Sequence, residues 1–173
     1  HASPNYKITF DYYPGGQRAR KQLYVKDPTD NWQLTADHQF YYDDWHLICE
    51  QVSDYSHTPT LQYSRTYTWG LDLAGQRSGR LAGTGSGSGG IGGLLAITVT
   101  ASGVSKVLFP ICNHNGSISK LLDADTGAVV AEYEYSPFGV LIAESGVAKD
   151  ACPFRFMSKY YDAAPAVFGV PLY

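Results

Sequence analysis

Apolar and polar residues alternate in short runs along this chain, and a turn signal closes each run. Tyr6 to Tyr13 precedes Pro14-Gly15-Gly16, Gln22 to Val25 precedes Asp27-Pro28, and Gln39 to Tyr42 precedes Asp43-Asp44. A period of two with this punctuation predicts a meander of antiparallel strands. Trp45 to Val52 and Gln62 to Trp69, rich in Tyr, Thr, Leu and Ile, flank a polar turn at His57 to Thr60 and predict another hairpin. Leu94 to Thr100, Ser105 to Cys112 and Ser117 to Leu122 predict three more strands. The last two are joined by Asn113-His114-Asn115-Gly116, whose Asn-Gly is a strong hairpin signal. Asp125-Thr126-Gly127 predicts the next turn, Ala128 to Tyr135 the next strand, and Val140 to Glu144 a final one after Ser136-Pro137-Phe138-Gly139. The one helical expectation is a turn near Ser145 to Ala151, which Gly146 weakens. Residues 76–93 read as a flexible Gly/Ser-rich loop and 153–173 as an irregular tail carrying Pro165 and Pro171.

Composition agrees with this pattern. Fourteen Tyr and 18 Gly beside a single Met favour strands and turns, so the expected class is all-β. The length of 173 residues fits a single domain spanning 1–173, with 1–3 read as a tag remnant. A formal charge of -3, with 13 scattered Lys and Arg, gives no footprint for nucleic acid or an anionic membrane. No apolar run approaches the roughly 20 residues of a membrane-spanning helix. Cys49, Cys112 and Cys152 are odd in number, widely spaced and without a CxxC pair, which points to buried small apolar residues over a disulfide framework or zinc site.

Several segments, in this order, resemble the core of bacterial RHS repeat-associated (YD-repeat) proteins. They are Gly16 to Tyr24, Phe40 to Ile48, Arg65 to Leu73, Gly89 to Ala96, Asn113 to Gly116, Ala131 to Gly139 and Pro153 to Asp162. The resemblance implies consecutive antiparallel hairpins that spiral, in full-length relatives, into a hollow β-shell around a toxic C-terminal domain. A piece of this size does not close a shell, so the expectation is an open curved sheet or partial β-shell. Exposed sheet edges then favour a homodimer or other assembly. Relatives of this pattern continue after the Phe-Arg-Phe block with a Tyr-Gly-Tyr-Arg-Tyr-Tyr segment and an Asp-Pro-Ile-Gly motif that marks self-cleavage. Here Asp162 is followed by Ala-Ala-Pro-Ala, and the resemblance carries no autoproteolysis over to these residues.

The sharpest catalytic motif is Asp125-Thr126-Gly127. Aspartic peptidases place two such aspartates about 3 Å apart so that they share a proton and activate water. One tripeptide would need a homodimer, or a second carboxylate such as Asp11, and Asp-Thr-Gly is equally what a hairpin turn wants. Gly85 to Gly90 fits the GxGxxG spacing but lacks a helix after it, so a flexible loop is the better reading. His38, His46, His57 and His114 show no ligand spacing, and neither a metal site nor a cofactor is expected. Asn115-Gly116-Ser117 fits a glycosylation sequon, but its Asn-Gly belongs to the hairpin. Tyr12, Tyr13, Trp32, Trp45 and Trp69 are candidates for stacking on sugar rings, although cross-strand packing is the commoner fate of such residues.

The leading functional reading is a non-catalytic RHS/YD-repeat β-scaffold, secreted or at the surface of a bacterium, that works through protein or glycoprotein partners. The first alternative is an aspartic-type endopeptidase using Asp125, Thr126 and Gly127 on extracellular proteins or glycoproteins such as mucin. The second is a carbohydrate-binding module.

Overall fold

A computed structural model of the protein describes residues 5–55, 60–76 and 89–162. Its regular elements are ten β-strands and one short 3-10 turn. The chain packs as two compact units. The first is His1–Thr66 with Thr100–Ser105, and the second is Tyr67–Val99 with Lys106–Tyr173. The strands are β1 (Tyr6–Tyr12), β2 (Arg18–Lys26), β3 (Trp32–Asp43), β4 (His46–Asp54), β5 (Thr60–Trp69), β6 (Leu94–Ala101), β7 (Val104–Cys112), β8 (Ile118–Asp123), β9 (Val129–Tyr135) and β10 (Leu141–Ser145). All described pairings are antiparallel between consecutive strands, and the strand order is open. The all-β class and the consecutive hairpins are therefore as the pattern predicts.

One five-residue turn recurs along the meander: Tyr13 to Gln17, Asp27 to Asn31, Asp72 to Gln76, Asn113 to Ser117 and Ser136 to Val140. In each, the first N–H donates to the fifth carbonyl at 2.8–2.9 Å and the fourth N–H to the first carbonyl at 2.8–3.0 Å. The fourth residue is left-handed: Gly16, Asp30, Gly75, Gly116 and Gly139 have φ between 67 and 89°. This is a type I turn followed by a bulge residue, and Pro14, Pro28 and Pro137 pre-set φ at its second position. A side chain at the first position usually completes it. Asp27 Oδ1 accepts from the Thr29 and Asn31 N–H groups, Asp72 Oδ1 from Ala74 and Gln76, and Asn113 Oδ1 from Asn115 and Ser117. The Ser136 hydroxyl accepts from Val140. The turn of Asn115-Gly116-Ser117 is thus part of this device.

The strands run longer than the sequence pattern suggests, most of all β3, where Trp32 to Gln39 pair with β2 through mostly polar residues. Bulges interrupt every described ladder, for example at Asp11/Tyr12, Leu23/Tyr24 and Leu141/Ala143, and each bends and twists its strand locally. In the first unit the buried face holds Phe40, Leu47 and Val52 together with charge. Glu50, fully buried, accepts from Arg65 Nη1 at 3.1 Å and lies 2.9 Å from His38 Nδ1, while Arg20 grips Asp37 through two bonds of 2.7 Å. Each buried carboxylate therefore has the partners its desolvation requires.

The second unit is built around Leu94, Ile97, Leu108, Ile118, Leu121, Ala131, Tyr133 and Phe154. Residues 146–151, where a helical turn is expected, form turns: Ala148 N–H donates to Val130 O and Ala151 N–H to Ala148 O. Gly146 (φ 96°) lies so close to Val130 that a side chain there would meet its carbonyl, which fixes the chain against β9 and prevents a helix. The described part of the expected tail is non-repetitive but packed as a strap. Phe154 meets Tyr67, Trp69 and Tyr160 edge-on at 5.1–5.8 Å. Arg155 stacks on Tyr133 and donates to Lys149 O, and a 3-10 turn at Phe156–Ser158 follows. Ser158 Oγ donates to Gly116 O and accepts from Gly92 N–H, so the strap seals against the Asn113 to Ser117 turn. The tag remnant, most of the Gly/Ser-rich loop and His57 lie outside the described residues.

Gly116 combines a left-handed φ of 77° with contacts to Ile91 and Gly92, whereas Gly127 (φ 70°) faces open space. Gly127→Ala is expected to cost about 1–2 kcal/mol from the backbone alone. Gly116→Ala should cost about 1–3 kcal/mol more through steric conflict. Urea unfolding of the two variants checks the order, and equal losses would contradict this packing.

Candidate functional site

The Asp-Thr-Gly motif lies at the tip of the β8–β9 hairpin, in a turn one residue longer than the recurrent one. Gly127 N–H donates to Asp123 O at 2.8 Å and Asp123 N–H to Ala128 O at 2.9 Å. The carboxylate at the centre of this turn is that of Asp123. Its Oδ1 accepts from the Asp125 and Thr126 N–H groups, each at 3.0 Å, and from the Thr126 hydroxyl at 3.1 Å, while Lys106 Nζ lies 3.6 Å from Oδ2. Asp125 supplies a backbone donor, and its side chain is exposed. Thr126 braces the loop, its hydroxyl also accepting from Ala128 N–H at 3.3 Å, and Gly127 provides the left-handed residue. Asp11, the other carboxylate named for the peptidase alternative, is exposed on β1 of the first unit, opposite Arg20 on β2.

The aromatic candidates separate into three places. Tyr12 and Tyr13 end β1, and Trp45 caps the β3–β4 turn beside them. The Gln17 amide donates to Asp44 O at 3.0 Å, Tyr13 OH donates to Phe40 O at 3.1 Å, and Trp45 reaches to 3.9 Å from where a Gly16 side chain would begin. Trp32, at the far end of β3, lies under two ammonium groups, those of Lys7 at 5.4 Å and Lys26 at 5.3 Å. Trp69 belongs to the second unit and packs against Phe154, half-buried in its core. The tertiary structure thus brings Tyr12, Tyr13 and Trp45 to one end of the first unit.

Two features have no counterpart in the sequence reading. The His38-Glu50-Arg65 network is one; its members are far apart in sequence, and only the inward positions of Glu50 and His38 in their strands could have signalled it. The other is a depression of about 300 Å³ on β8–β10, lined by Ser119, Lys120, Glu132, Tyr133, Glu134, Ala143, Glu144 and Ser145, with Lys120 and Glu132 paired at 2.7 Å. Among the described residues no group of His, Cys, Asp and Glu is arranged to hold a metal ion, and no helix is long and apolar enough to cross a membrane. The three cysteines are free thiols; burial pushes Cys49 and Cys112 up from the ordinary thiol value.

No family model and no curated protein matches the sequence. Among solved structures, the chain is similar to one of TcdB2-TccC3, with 14% identity and a TM-score of 0.48 over 90% of this chain. It is also similar to the Tc holotoxin pore of Photorhabdus luminescens, with 15% identity and a TM-score of 0.45 over 90% of this chain. In both cases this chain spans 8% of the length of the other.

Turn carboxylates couple this architecture to pH. The Thr29 hydroxyl and the Asn31 N–H hold Asp27 down to about 2, and the Thr126 N–H and hydroxyl lower Asp123. A carboxyl whose folded value is depressed adds stability that is complete above its unfolded value near 4 and is lost as pH falls through the folded value. Melting temperature should therefore fall between about pH 4 and pH 2 in the wild type, and fall less steeply in Asp27→Asn and Asp123→Asn. Asp123→Ala should lower it by several degrees at neutral pH and Asp125→Ala by no more than about 2 °C. Differential scanning calorimetry across this range measures both effects.

Proposed function

We propose that this chain is a non-catalytic β-scaffold of the RHS/YD-repeat type, secreted or displayed at a bacterial surface, which acts by presenting its sheet to protein or glycoprotein partners. The recurrent five-residue turn is the observation that carries the reading. It closes hairpin after hairpin with the same bonds, and two of its copies, Asn113 to Ser117 and Ser136 to Val140, fall on segments that resemble that family. Repeated supersecondary units with a shared closure are what an extended, additive architecture needs. The Asp-Thr-Gly tripeptide is accounted for within the same logic, since Asp123 takes the bonds that hold the tip and Asp125 faces solvent.

A second reading rests on the grouping of Tyr12, Tyr13 and Trp45. Tyr12 and Trp45 are 59% and 48% exposed, and the Asp11 and Asp44 carboxylates and the Gln17 amide belong to the same two hairpins. Rings presented with hydrogen-bonding groups suit the apolar face and hydroxyls of a sugar. If glycan is the partner, oligosaccharides will quench tryptophan fluorescence, and the quench will disappear in Trp45→Ala and persist in Trp69→Phe.

The scaffold reading is tested by cleavage of an unfolded protein and of a mucin-type glycoprotein from pH 3 to 8, with wild type and Asp125→Asn compared side by side. The expected result is no cleavage, or the same background in both. An acid optimum that vanishes in Asp125→Asn would replace the scaffold with the peptidase alternative.

A further inference from the structure

We propose that β1 is a self-recognition strand through which two copies of this chain join, antiparallel, about Thr9. This rests on the scaffold reading above and names the partner of one of its edges. Among the described residues β1 pairs with β2 alone, so its other side is a sheet edge. An edge of seven residues is a template for a further strand, and proteins commonly protect such edges with charge. In Tyr6-Lys7-Ile8-Thr9-Phe10-Asp11-Tyr12 the charges stand symmetrically about the central residue. When a second copy is laid antiparallel with Thr9 opposite Thr9, Lys7 faces the partner's Asp11, Asp11 faces the partner's Lys7, and Ile8 and Phe10 face each other. Tyr6 and Tyr12 close the two ends.

The faces match as well as the charges. Opposed residues differ in number by an even step, so Lys7, Thr9 and Asp11 continue one face across the junction while Ile8 and Phe10 continue the other. The two-fold axis then stands normal to the sheet, as an isologous contact requires. Lys7 and Asp11 are both exposed, and the residue opposite Asp11 on β2, Arg20, has its guanidinium on Asp37. The same charges that repel most strands therefore select this one. The edge at β10 lacks this symmetry: about Ala143, Ile142 would face the partner's Glu144, which is already bound by Lys149 at 2.8 Å.

A pair of seven-residue strands is a small interface, so a dissociation constant of roughly micromolar order is expected. Sedimentation velocity of the whole chain from about 1 to 500 μM reads it, with wild type, Lys7→Asp, Asp11→Lys, an equimolar mixture of those two, and the double exchange. The proposal expects a dimer for wild type and at least about tenfold weaker association for each single variant, because each sets two pairs of like charges opposite one another. It expects recovery in the mixture, where the two carboxylates on β1 of one variant meet the two ammonium groups on β1 of the other. It also expects recovery in the double exchange, which guards against misfolding of a single variant. A wild type that stays monomeric throughout, as it would if the edge serves a strand of another protein, overturns the proposal but leaves the scaffold reading to its own cleavage test. Dimerisation that ignores the single changes, or a double exchange that fails to associate, overturns it as well.

Discussion

Reversing the chain every ten or so residues without leaving backbone donors and acceptors unpaired is the constraint on which the rest of this structure depends. The five-residue turn meets it with two backbone bonds and a left-handed fourth residue, usually supported by an oxygen from the first side chain. Four of the fourth positions are glycine, for which the left-handed region carries no steric cost; the fifth is Asp30. Register follows from the turns, and once register is set the period of two sends alternate residues to opposite faces. The Asp123 to Ala128 turn is a one-residue variation on the same theme, and its extra length accommodates the Asp-Thr-Gly tripeptide.

The two units fill their buried faces by different means. The first places charged residues among its apolar ones and satisfies them across strands, so that Glu50 is shared by His38 and Arg65, and Asp37 is held by Arg20. Such pairs contribute little net stability relative to an apolar core, but removing one partner strands the other. Register in this unit is therefore enforced by the cost of error. The second unit uses a strap of its own chain. Phe154 meets three aromatic rings, Arg155 lies on Tyr133, and Ser117 and Ser158 tie the strap to the turn below it.

These arrangements bear on function through what they leave outside. The carboxylates most firmly bound, Asp27, Asp37, Glu50, Asp72 and Asp123, are occupied with folding. The groups turned outward are rings and charges on strand edges and hairpin tips: Tyr12, Tyr13 and Trp45 on one side, Lys7 and Asp11 along β1. That distribution suits a surface made to be touched by another surface, with a rigid backbone behind it.

The sequence by itself determined the all-β class, the approximate strands and nearly every turn, because alternation and turn chemistry are local. Asn115-Gly116, Pro137-Phe138-Gly139 and Asp27-Pro28 announce their turns within a few residues. Only the tertiary structure decided that Asp123, and not Asp125, holds the Asp-Thr-Gly tip, because a backbone path selects which carboxylate meets the free N–H groups. It alone extended β3 back to Trp32, since polar residues become strand when both neighbours offer hydrogen bonds. It also drew Trp69 into a core and packed Pro153 to Asp162 as a strap, through contacts with residues some 40 to 90 positions away. Glu50 could be assigned to a strand from its neighbours, but not paired with His38 and Arg65. Partners of that kind are chosen by which strands lie side by side, and long-range pairing leaves no periodic trace in the sequence.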